Sequence, residues 1–106
     1  MKKILLLTGL AVVLTSFLIN SSASPTPGIV QIYPNPVTDR ILYISSDYTI
    51  VKVEIMDITG SSVFIQKYEK ETRKVIINLD NLNRGLYIIQ VKLDNNSART
   101  EKIMIE

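Results

Sequence analysis

The stretch "IVKVEIMDITGSSVFIQKY", Ile50–Tyr68, decides the fold. In its first half Val51, Val53 and Ile55 alternate with Lys52 and Glu54. A period of two is the mark of a strand with one buried face. "DITG", Asp57–Gly60, follows as a tight turn in which Gly60 is free to take a positive φ. "SSVFIQKY" then returns as the hairpin partner.

The same grammar extends in both directions. Upstream, a short strand over Ile29–Tyr33 is stopped by "PNP", since Pro34 and Pro36 lack donors and push their predecessors toward extended geometry. Asn35 between them can bond to local backbone. The chain re-enters a strand at Ile41 with "ILYI". Downstream, a polar loop "EKETRK" leads to "VIINL", which sets Val75, Ile77 and Leu79 on one face. "DNLNRG" turns the chain again, with a single helical turn expected to tuck Leu82 under the sheet and Gly85 ending it. "LYIIQVKL" points Tyr87, Ile89, Val91 and Leu93 inward and Gln90 and Lys92 outward. "DNN" is a hairpin turn, and "ARTEKIMI" closes the chain as an edge strand. About seven short strands with frequent turn signals and no sustained helical period predict an all-β, immunoglobulin-like antiparallel sandwich.

The N-terminus reads differently. Lys2 and Lys3 precede an apolar run from Ile4 to Ile19, and small residues stand at Ser21 and Ala23. This is a signal-peptide pattern with cleavage expected after Ala23. As a membrane span the run is short and interrupted by Thr8, Gly9, Thr15 and Ser16. No cysteine is present to make a lipoprotein signal. The expected organisation is a signal peptide over 1–23, a linker over 24–28 and a sandwich over 29–106, with no membrane span after cleavage.

Charge and composition exclude several functions. The 106-residue chain has twelve basic and ten acidic residues, a formal net charge of +2. Two of the twelve are Lys2 and Lys3, so beyond the leader ten basic residues meet ten acidic ones. A phosphate-reading surface needs positive surplus, so no nucleic-acid partner is expected. The basic residues are scattered among acids, the pattern of an ordinary solvated surface. With neither histidine nor cysteine, the usual general base, zinc ligands and thiol nucleophile are missing. Ser45, Ser46, Ser61 and Ser62 lie in or beside turns. Asp39, Asp47, Asp57, Asp80 and Asp94 read as turn residues, since none stands in a loop with calcium-ligand spacing. No enzyme activity, cofactor, metal or small-molecule substrate is expected.

Three motifs in fixed order carry a resemblance. "YPNP" stands at Tyr33, Pro34, Asn35 and Pro36. The "DxxG" turn falls on Asp57 and Gly60. An "L…L…GxY" element falls on Leu79, Leu82, Gly85 and Tyr87, with Val91 beyond, and a Lys-bearing apolar run over Lys102, Ile103, Met104 and Ile105 ends the chain. In these the chain resembles the type A C-terminal sorting domain of the type IX secretion system of Bacteroidota. The resemblance implies a small immunoglobulin-type sandwich that carries cargo from the periplasm across the outer membrane, with the system's export and processing machinery as its partners. It implies passage through the periplasm, then a place at the cell surface or outside the cell. The family's domain normally ends a larger protein, whereas only Ser24–Gly28 separate the expected cleavage point from the domain here. An orphan sorting domain, a remnant of a longer gene and a small secreted or periplasmic binding or adhesion sandwich all stay open on that ground. For a sorting module, the terminal strand is the element a receptor would find, by strand addition at an open sheet edge. Charges on that strand also serve simple edge protection.

Overall fold

The computed structural model describes residues 28–106. The expected signal peptide and residues 24–27 of the linker lie outside the described residues. Seven strands form: β1 (Val30–Tyr33), β2 (Ile41–Ser46), β3 (Ile50–Asp57), β4 (Ser62–Lys67), β5 (Lys74–Asn78), β6 (Gly85–Leu93) and β7 (Ala98–Ile105). They make a three-stranded sheet in the order β1-β2-β5 and a four-stranded sheet in the order β4-β3-β6-β7. Every pairing between these strands is antiparallel. This is the two-layer solution open to sheets that are apolar on one face only.

Alternation supplies the core. Val30, Ile32, Leu42, Ile44, Val75 and Ile77 point inward from the smaller sheet. Ile50, Val53, Ile55, Tyr87, Ile89, Val91, Leu93, Ile103 and Ile105 meet them from the larger one. Val37 and Leu79, both outside the strands, complete the cluster. No polar or charged residue among the described ones is buried. Burying one such aliphatic side chain is worth about 1.5–3 kcal/mol, so stability rests on packing, with no disulfide to assist it.

One inward position differs from the alternation read along the sequence. Ile50, not Val51, is buried, while Val51 is only partly covered. The β3–β6 register runs Ile50↔Leu93 and then Lys52↔Lys92, which leaves Val51 as an extra residue. A bulge of this kind reverses facing at one point while keeping it beyond, so Val53 and Ile55 stay inward as expected. A second irregularity, between Ile55 and Met56 in the β3–β4 pairing, lies beside the turn.

The loop before β6 holds a single hydrogen-bonded turn and no longer helix: the Leu82 amide donates to the Leu79 carbonyl, three residues back, at 3.0 Å, and the Asp80 amide donates to the Asn78 side chain at 2.8 Å. Leu82 still packs on the core, as its apolar side chain requires. The guanidinium of Arg40, itself at φ 65°, donates to the Leu82 carbonyl and ties the loop to the start of β2. The buried Tyr87 ring reaches back to donate its hydroxyl to the Asn83 carbonyl at 2.8 Å. Immunoglobulin sandwiches use the same kind of tyrosine corner to satisfy a buried phenol.

Gly60 and Gly85 have φ of 90° and 146°, where a β-carbon is strained whatever the surrounding space. Both have open space around the missing side chain, so the cost of substitution is purely that of the backbone. Gly85→Ala and Gly60→Ala are each expected to lose on the order of 1 kcal/mol or more, measured by urea denaturation. A midpoint equal to that of the unsubstituted chain would rule out the left-handed backbone at that position.

Candidate functional site

The motif residues, widely spaced in sequence, converge at one end of the four-stranded sheet. Asp57 pairs with Tyr87 across β3 and β6, and Tyr87 pairs with Ile103 across β6 and β7. Gly85 pairs with Ile105 one step nearer the end. Leu79 and Leu82, in the loop before β6, join the core cluster, and the Leu79 amide donates to the Arg40 carbonyl at 2.8 Å.

Asp57 holds its turn through a fan of donors. Its Oδ1 accepts from the Thr59 hydroxyl at 2.5 Å, the Thr59 amide at 2.9 Å and the Ser61 amide at 3.0 Å. The hydroxyl bond of Thr59 holds the carboxyl below its ordinary value; desolvation opposes it, and the backbone amides of Ser61, Thr59 and Gly60 add to the lowering. A lowered folded value stabilises the fold at pH above the ordinary aspartate range of about 4, and that contribution is lost as pH falls through the folded value. Asp57→Asn should therefore flatten the acid limb of a stability–pH curve; an unchanged limb would show that this turn does not couple to folding. The carboxylates of Asp39 and Asp47 likewise accept backbone amides, from Ile41 and Ile29.

The "YPNP" turn meets the end of the chain. Both the Tyr33–Pro34 and Asn35–Pro36 peptide bonds are cis. Asn35 faces β7 and uses its side-chain amide as a substitute peptide group: Nδ2 donates to the Lys102 carbonyl at 2.8 Å, and Oδ1 accepts from the Met104 amide at 3.1 Å. Val37 continues the seam as a parallel bridge to Ile105. Its amide donates to the Met104 carbonyl at 2.7 Å, and its carbonyl accepts from the Glu106 amide at 2.9 Å. The Val37 side chain is fully buried. Tyr33, by contrast, is exposed and stacks on Tyr43 across β1 and β2, with ring centroids 5.6 Å apart.

This geometry changes how the terminal strand can be read. Strand β7 is an edge strand, but from the Lys102 carbonyl to the Glu106 amide its outward backbone groups are already occupied by Asn35 and Val37. An added strand would find that stretch closed. Ile103 and Ile105 are core residues; only Lys102 and Met104 offer exposed side chains. Asn35 was legible as a turn residue but not as a clamp on residues 67 and more positions away. Val37 was missed altogether. Its sole signal is an apolar residue placed directly after a stiff turn.

Fold and site together define a β-sandwich module that fastens its own last strand with a proline-bracketed turn near its start. Residues 31–106 match the model of the secretion system C-terminal sorting domain, and the chain belongs to that family. It is a type IX sorting signal, which implies export to the cell surface or the extracellular space. The chain is 33% identical over 76 residues to ulvan lyase NLR42 of Nonlabens ulvanivorans, covering 72% of this chain and 14% of that protein. It is 27% identical over 77 residues to an endo-acting ulvan lyase of Formosa agariphila, covering 73% and 15% respectively. The chain thus spans about one seventh of the length of these relatives. Among solved structures, the Arg-specific cysteine proteinase gingipain R superposes with a TM-score of 0.58 at 19% identity, over 77% of this chain and 19% of that one. That likeness is one of fold.

Proposed function

We propose that the outer-membrane export machinery reads this domain at the seam where Tyr33–Pro36 meets β7, through the exposed side chains of Tyr33, Lys102 and Met104. The observation that carries the reading is the Asn35 clamp, which joins the "YPNP" turn and the Lys-bearing terminal run into one continuous surface. Asp57, Gly60, Leu79, Leu82, Gly85 and Tyr87 then act from behind, as the turns and packing that hold the seam in shape. Ile103 and Ile105 anchor the strand from inside. Recognition by strand addition along Lys102–Ile105 is disfavoured, because those backbone groups have partners already.

The domain acts as an address and not as a catalyst. Supporting this are the absence of histidine and cysteine from the sequence and the use of turn carboxylates to accept backbone amides. Entry into the periplasm is assigned to residues 1–23 as a cleaved signal peptide, on the basic start, apolar run and small residues described above.

A reporter placed between a signal peptide and Ser24–Glu106 should cross the outer membrane of a host carrying the type IX system. With Lys102→Ser and Met104→Ser together, the fusion should keep its melting behaviour, since both side chains are exposed, and lose most of its export. A fusion exported as well as the unsubstituted one would remove these side chains from the recognised surface. A fusion left in the periplasm with all residues intact, beside a working sorting domain, would favour the alternative of a secreted binding or adhesion sandwich.

A further inference from the structure

The lysines are dispersed in the sequence, but strand pairing gathers them. Lys67 of β4 lies opposite Lys52 of β3, and Lys52 lies opposite Lys92 of β6. Direct cross-strand partners share a face, so the three side chains leave the outer surface of the sheet in one row. With strands about 4.8 Å apart, the row spans about 10 Å. Like charges directly opposite one another destabilise a sheet, and here the arrangement occurs twice in succession. Among the described residues, the only ion pair to these lysines is from Glu54, with its carboxylate 3.8 Å from Lys52 Nζ. The other outward positions beside the row are Ile65, Gln90, Thr100 and Ala98, none of them acidic. Val51, displaced by the β3 bulge, joins the three lysines in lining a hollow of about 280 Å³.

We propose that Lys52, Lys67 and Lys92 form a binding site for a polyvalent oxyanion, specifically a phosphate-bearing group. Three ammonium groups on flexible stems can converge on one such group, and its charge relieves the repulsion that the register imposes. The site lies on the outer sheet face, and its existence does not depend on the seam reading above.

The test is calorimetric titration of the purified chain with tripolyphosphate at constant ionic strength, together with thermal melts. The expected result is one site per chain and a rise in melting temperature. In the double variant Lys67→Gln, Lys92→Gln, affinity should fall at least about tenfold. Without ligand, that variant should melt at or above the temperature of the unsubstituted chain, because a repulsion has been removed. That melt also establishes that the variant folds. Sedimentation with phosphatidylcholine vesicles, with and without phosphatidylglycerol, distinguishes the source of the phosphate. Binding that requires phosphatidylglycerol and is lost in the variant assigns the site to a lipid headgroup; tripolyphosphate binding without vesicle binding assigns it to a soluble phosphate. Equal affinity of variant and unsubstituted chain, or no binding of either probe by the unsubstituted chain, overturns the proposal.

Discussion

Deleting Lys102–Glu106 is expected to abolish the cooperative melt, and with it any export. The deletion takes away Ile103 and Ile105, which are 0% and 1% exposed. Cutting one buried isoleucine back to alanine costs about 2–5 kcal/mol, and here both side chains go, together with their share of the β6–β7 ladder and the seam to Val37. A domain of this size has about 4–12 kcal/mol in all, at about 0.05–0.15 kcal/mol per residue. The loss is as large as the total. Circular dichroism melts of the truncated domain are the check, and a sharp transition near that of the full domain would mean that β7 is not integral to the core. The consequence reaches function. A truncated domain that fails to travel says nothing about what a receptor reads, because no folded domain remains to be read. The exposed pair Lys102 and Met104 separates recognition from folding, and the deletion does not.

Val37→Asp is expected to be nearly as severe. Val37 is 0% exposed, and its surroundings in the core are apolar. A carboxylate there would stay charged only at a cost of several kcal/mol, or take up a proton and still lack a partner. The substitution leaves the backbone bonds to Met104 and Glu106 available in principle, so the loss would report on the side chain's burial. Asn35→Ala is the milder companion. It removes two hydrogen bonds at an exposed site, each worth about 1 kcal/mol net, and the freed groups of Lys102 and Met104 can turn to water. Urea denaturation should place Val37→Asp well below Asn35→Ala, with Asn35→Ala about 2 kcal/mol below the unsubstituted chain. Equal midpoints for the two variants would show that the seam is held by its hydrogen bonds and not by burial of Val37.

The sequence by itself determined the strands, the turns and the family. Alternation is a local property, and wherever it ran unbroken, as in Val75–Leu79 and Tyr87–Leu93, facing followed directly from it. Gly60 and Gly85 were legible because few residues other than glycine occupy such φ values readily. The tertiary structure alone decided the rest. The bulge at Val51 arises from the register between β3 and β6, which neither strand encodes separately. The Asn35 clamp joins residues 67 and 69 positions apart, and an asparagine between prolines looks the same in sequence whether it bonds to its own turn or to a distant strand. Charge shows the gap most plainly. Along the chain the lysines are interspersed with acids and look like ordinary solvated surface. Across the sheet, Lys67, Lys52 and Lys92 stand side by side, because pairing makes neighbours of residues that the chain keeps far apart.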